Sequence, residues 1–280
     1  MQDEGGDISV LPEGCISTIL SFTSPSDAGV SSLVSSTFKS AADSDVCWKK
    51  FLPSDYNEIV SRSSSSSSDI SSSFNLNDFT SKKQLYLHLC DHSVLLDGGK
   101  MSFNIDKKSG KKCFMIAAKE LAIIWGDTPL YWTWQPHPDS RFAEVAELVD
   151  VCWLHIKGTI ETRLLSPNTT YAAYIVVKFT DNAYGLERHP ADVAVGFVGE
   201  GGNASGSRTV HLNHKKASGG QFPSERGDGW MEIELGEFYN DQGEDGEVQM
   251  TLTETKGGHW KSGLIVQGIE LRPKVSIQST

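Results

Sequence analysis

The chain has no excess of positive charge, no long apolar run and no paired cysteines, and each absence removes a class of function. Its formal net charge is −11, whereas a dedicated nucleic-acid binder needs a basic face to displace counterions from phosphate. The same sign argues against docking on an anionic membrane surface. No stretch approaches the ~20 apolar residues of a membrane helix. Met1-Gln-Asp-Glu-Gly-Gly-Asp lacks the basic start and apolar core of a secretory signal. The cysteines (Cys15, Cys47, Cys90, Cys113 and Cys152) are odd in number and form no C-x-x-C pair. That pattern suits a reducing compartment and reads as small buried hydrophobes, not disulfides or zinc ligands. A cytoplasmic or nuclear protein without nucleic-acid or membrane partners is expected.

Catalytic signals are also missing. His88, His92, His137, His155, His189, His211, His214 and His259 show no metal-ligand spacing, so no metal site is expected. No Gly-x-Ser-x-Gly elbow is present, and Lys107 to Lys112 lacks the glycine-rich run of a P-loop. The sharpest enzymatic reading takes a carboxylate pair from Glu244, Asp245, Glu247 and Glu254, as glycoside hydrolysis requires. Gly243 to Glu247 reads better as an acidic hairpin turn. Neither catalysis nor a cofactor is expected.

Helix signals dominate residues 8–53. Leu11-Pro12-Glu13 opens a helix, with proline tolerated at its start and the glutamate favourable beside the positive end of the dipole. Ile16, Ile19 and Leu20 form one apolar stripe. Ser24-Pro25-Ser26-Asp27 has the pattern of a capping box, and the helix it starts carries Val30, Leu33, Val34 and Phe38. Val46, Trp48, Phe51 and Leu52 make a third patch, ended by Pro53. Three such helices bury little apolar surface, which leaves room for an external partner. Residues 54–82 contain the serine-rich tract Ser61 to Ser73 and read as a linker. Residues 83–113 read as a bridge whose apolar part, Leu85 to Leu96, is helical and runs into Asp97-Gly98-Gly99.

From about residue 114 the period changes to two. Leu154, Ile156 and Ile160, then Met231, Ile233 and Leu235, then Val248, Met250 and Leu252 alternate with polar neighbours, as half-buried strands do. Tyr171 to Phe179 and Leu264 to Leu271 are apolar on both faces and should be central. Glycine-rich joints at strand-length spacing predict an antiparallel two-sheet sandwich, so the fold class is α+β and multidomain. At its start Ile123-Ile124-Trp125-Gly-Asp-Thr-Pro-Leu-Tyr131-Trp132-Thr-Trp134 sets four large aromatics around a turn. Such rings can stack on the apolar face of a sugar or fill a core, and spacing alone does not choose.

Leu11-Pro12-Glu13, Ile16, Ile19-Leu20, Ser24-Pro25-Ser26-Asp27, Val34-Ser35, Phe38, Ala42, Val46-Cys47-Trp48 and Phe51-Leu52-Pro53 resemble an F-box. The resemblance implies docking on the Skp adaptor of a cullin-based SCF ubiquitin ligase through Leu11, Pro12, Ile16, Ile19, Leu20 and Leu33, with Trp48 in support. Leu121 to Trp134 resembles the start of the phloem lectin domain, the Nictaba type. Phe142 to Leu148, Gly158 to Thr162, Arg226 to Ile233, Gly243 to Val248, Trp260 to Val266 and Arg272-Pro273 continue that match. This implies a jelly-roll-like lectin domain over 114–273 that binds N-acetylglucosamine oligomers or N-glycans and can pair as a homodimer. By position, Trp125 and Trp132 would stack on sugar, and Glu247, Glu254 and Lys261 would be the polar partners. Both tryptophans should then be partly exposed beside one concavity, with Trp134, Trp153 and Trp230 more buried. The lysine run of the free lectin is reduced here to His214-Lys215-Lys216. Glu247 and Glu254 also have opposite parity along one strand.

Overall fold

The computed structural model describes residues 11–65, 74–199, 208–212, 221–243 and 246–274. Most of the serine tract, Glu244, Asp245 and the 214–216 basic run lie outside those residues. The chain divides into two compact units, one of residues 1–96 with 103–112 and one of 97–102 with 113–280.

The first unit is helical: α1 (Glu13–Leu20), α2 (Pro25–Ser31), α3 (Ser36–Asp43), α4 (Asp45–Phe51), α5 (Tyr56–Ser61) and α6 (Lys82–Asp91). The expected capping box is present. Ser24 Oγ accepts from the Asp27 N–H and Asp27 accepts from the Ser24 N–H. The helix it starts is shorter than its apolar positions suggested. Ser35 accepts from the Phe38 N–H and begins a new helix. Val30, Leu33 and Val34, expected on one face with Phe38, instead surround the break between helices and are exposed. Ser44 caps α4 in the same way, and Trp48 donates its indole N–H to Ala42 O. The Trp48 ring packs 5.5 Å from Phe51 and 5.1 Å from Tyr86.

Two further corrections concern the middle of the chain. Residues 54–82 begin with packed helix, since Tyr56, Ile59 and Val60 of α5 are buried. The apolar run Leu85 to Leu96 is helical only to Asp91 and then becomes strand β1 (Val94–Leu96). β2 (Met101–Ile105) follows a turn in which Asp97, Gly98 and Gly99 all have positive φ.

The second unit is the expected antiparallel sandwich. Its strands are β3 (Lys112–Ala117), β4 (Ala122–Ile123), β5 (Trp132–Gln135), β6 (Val145–Leu148), β7 (Leu154–Glu161), β8 (Thr169–Tyr184), β9 (Ala191–Phe197), β10 (Arg208–Val210), β11 (Ser224–Glu225), β12 (Met231–Asn240), β13 (Glu247–Glu254) and β14 (Ser262–Pro273). One sheet runs β3-β14-β8-β12-β11, with β6 also on β14 and β5 on β6. The other runs β10-β9-β13-β7-β4. β8 and β14, apolar on both faces, are central as expected, because each is covered on both sides. The sheets face one another at Phe197 and Phe238, whose rings meet edge-to-face at 6.0 Å. They approach closely at Gly158, where a side chain would strike Ile269.

A buried ionic network also lies in this unit. Glu270 is almost fully buried and accepts from Arg226 at 2.7 Å and from Arg141 at 3.1 Å. Arg226 and Arg272 both reach Glu232, at 2.9 and 2.8 Å. The Arg272 guanidinium lies 4.1 Å from the centre of the Tyr174 ring.

Candidate functional site

The turn after β4 is built to display one ring. Gly126 N–H donates to Ile123 O at 3.0 Å, and Thr128 N–H donates to Trp125 O at 2.9 Å. Trp125 itself has φ +58°, the left-handed region that bulky residues avoid. It is 42% exposed and its ring lies 5.1 Å from that of Tyr131. Two other tryptophans hold the backbone there. Trp132 donates its indole N–H to Ile124 O at 3.2 Å, and Trp134 donates to Gly126 O at 2.9 Å. The carbonyls on both sides of Trp125 are thus tied down by neighbouring rings. Ile124 N–H donates to His155 O at 3.1 Å. Burial, and then Lys157, hold the His155 imidazole below its ordinary pKa, so it is neutral at pH 7.

This arrangement corrects the expectation for Trp132, which is only 2% exposed. It stands on β5 directly opposite Leu148, itself buried, and its ring fills the core. Trp132 braces the turn and offers no free face. Glu254 and Lys261 are corrected in the same sense. Both are buried and paired to each other. The Lys261 ammonium also donates to Cys152 O at 3.0 Å and His259 O at 2.8 Å, which accounts for its three protons. Glu254 accepts in addition from the Lys256 N–H at 3.0 Å. The pair pins the chain around Cys152 to the chain around His259 and has no donor left for a ligand.

Glu247 is exposed but stands at the far end of β13 from Glu254. Seven residues of strand separate them by about 23 Å. Glu247 lies beside an open hollow with Glu161, Arg163, Gly243 and Gly246. The five expected sugar residues therefore do not converge, and Trp125 alone among them presents a ring. Of the tryptophans expected inside, Trp230 is buried and Trp134 half-buried, but Trp153 is exposed. Trp153 has the outward parity of β7, whose Leu154 and Ile156 face inward, and that signal was readable. Tyr131, Tyr184 and Trp260 were missed because each falls in or beside an irregular connection.

In the helical unit the implied docking residues divide into two sets. Ile16, Leu20 and Trp48 are core. Leu11, Pro12, Ile19 and Leu33 are exposed, Leu33 at 85%. Phe22, Val30 and Val34 add to that apolar surface.

Fold and site define a modular binding protein, a small helical docking unit followed by a sandwich that presents rings on its loops. Residues 8–50 match the F-box domain and residues 111–273 match phloem protein 2. The chain belongs to the phloem protein 2 family and carries an F-box. It is 45% identical over 278 residues to F-box protein PP2-B10 of Arabidopsis thaliana, covering 98% of this chain and 96% of that one. F-box protein VBF, also from Arabidopsis thaliana, is 45% identical over 291 residues, covering 95% and 99%. Among solved structures, a family 35 carbohydrate binding module from Clostridium thermocellum aligns with a TM-score of 0.33 and 11% identity, over 57% of this chain and 96% of that one.

Proposed function

We propose that this protein is a substrate-recognition subunit of an SCF-type ubiquitin ligase. Its F-box docks the Skp adaptor and, through it, the cullin. Its sandwich binds N-acetylglucosamine oligomers or N-glycans of target glycoproteins. The chain itself catalyses nothing, and ubiquitin transfer takes place on the partner ligase. The five cysteines, none of them in a disulfide, fit work in the cytoplasm or nucleus.

Trp125 carries the sugar reading. A large ring held in a strained, exposed conformation over Tyr131 is the apolar platform that the C–H face of a hexose requires. Trp125→Ala is expected to weaken binding of chitin-type oligomers by about thirtyfold or more, measured by calorimetry. A glycan array that stays blank for the wild type would remove the sugar reading. Exposed Leu130 and Val149 beside this turn would then favour recognition of a protein surface.

The exposed apolar row supports the docking role. Leu11→Ala with Ile19→Ala, or Leu33→Asp alone, is expected to abolish co-purification of the Skp adaptor while leaving the melting temperature within a few degrees of wild type. Retained adaptor binding in both variants would overturn this docking face. Ile16→Ala should instead destabilise the unit by about 2–5 kcal/mol, because Ile16 is core.

A further inference from the structure

We infer that Trp260, Tyr184 and Asp150 form a second stacking subsite, which takes another neutral pyranose unit of the same oligosaccharide. The inference rests on the sugar-binding reading of Trp125 and adds a separate set of residues to it.

Three chain segments lie side by side here. Val151 and Lys261 form an antiparallel bridge with backbone hydrogen bonds of 2.9 and 2.8 Å, and Ser262 pairs with Tyr184. That register puts Asp150 and Tyr184 on either side of Ser262, and the Tyr184 hydroxyl donates to Asp150 Oδ1 at 2.7 Å. Residues two apart on an extended chain share a face, so Trp260 falls on the side of Ser262 and Tyr184. Gly185 allows the close approach. It has φ +78°, and a Cβ there would lie 2.1 Å from Trp260 O. Trp260 is 50% and Tyr184 47% exposed.

The polar group beside these rings gives the surface its chemistry. Among the described residues Asp150 has no cationic partner, and only Oδ1 is engaged. Oδ2 can accept from a sugar hydroxyl while a ring covers the C–H face of the same unit. A short stretch of chain, residues 151–155, links the subsite to the Trp125 turn. Exposed Trp153 follows Cys152 next to the Val151–Lys261 bridge, and it lies two residues before His155, whose carbonyl anchors Ile124.

Calorimetry on the full chain with chitin-type oligomers of two and of six units tests this. Trp260→Ala and Asp150→Asn are each expected to weaken the six-unit oligomer about tenfold and to leave the two-unit oligomer unchanged, whereas Trp125→Ala weakens both. If the wild type binds both oligomers and neither Trp260→Ala nor Asp150→Asn affects the longer one, the subsite is wrong and the Trp125 reading stands. If the wild type binds neither, both are wrong. Tighter binding of the deacetylated, cationic six-unit oligomer, lost in Asp150→Asn, would replace the neutral sugar with a cation. Matched circular dichroism spectra exclude misfolding as the cause.

Discussion

Replacing Lys261 with alanine is expected to lower the melting temperature of the sandwich by roughly 6–20 °C. Lys261 and Glu254 are both buried and paired, so the variant leaves an uncompensated carboxylate inside the protein. Breaking such a pair costs about 3–5 kcal/mol, and each kcal/mol moves the midpoint of a domain this size by about 2–4 °C. The Cys152 and His259 carbonyls lose their shared donor at the same time. The double variant Glu254→Leu with Lys261→Met should recover much of that stability, since an apolar pair of similar volume has no charge to strand. Scanning calorimetry of the three proteins checks the thermodynamics, and oligosaccharide titration checks the role. A refolded double variant that still binds the sugar would confirm that the pair is a pin between loops. A stable double variant that had lost all binding would mean that these side chains touch the ligand, against the geometry described above.

Glu270 should behave as a second buried dependency, visible in pH. Burial alone would raise its pKa, but Arg226 and Arg141, with Arg272, hold the carboxyl below its ordinary value near 4.5. A carboxylate depressed in the folded state contributes stability that is fully present above the unfolded pKa. That contribution is lost as pH falls through the lower, folded value. Glu270→Gln is therefore expected to destabilise the sandwich by about 3–5 kcal/mol at pH 7, because three guanidinium groups lose their shared counter-ion. Wild type and variant should converge as pH is lowered through the acid range. Denaturant midpoints measured from pH 7 down to pH 3 test this, and parallel curves for the two proteins would rule out Glu270 as the cause of acid sensitivity.

Much of this architecture was legible because two periodicities carry it. The alternation at Val248, Met250 and Leu252 gives β13, and the apolar continuity of Tyr171 to Phe179 gives a strand covered on both faces. Capping chemistry was legible at Ser24. The same chemistry at Ser35 went unread because Val30, Leu33, Val34 and Phe38 made a persuasive helical stripe across it. The candidate site was legible as a stretch but not residue by residue. Trp125 and Trp132 are seven residues apart with a turn between them, and only the turn's hydrogen bonds decide which ring faces out. Lys261 and Glu254 read as polar contacts by their position in the resemblance to the phloem lectin domain. Their burial depends on a bridge between Val151 and Lys261, two positions 110 residues apart in sequence, and no local pattern encodes it.

The two indole N–H groups flanking Trp125 have a consequence for how a ligand would be met. With Ile124 O and Gly126 O both anchored, the ring occupies its displayed orientation before anything binds. Association then involves little loss of loop freedom, and most of the contact energy survives as affinity. On the proposed sugar-binding role, Trp132 and Trp134 would act without touching the ligand, by preorganising the ring that meets it. Their replacement by phenylalanine, which keeps an aromatic ring but removes the donor and part of the volume, would free the turn and show itself as a less favourable binding entropy.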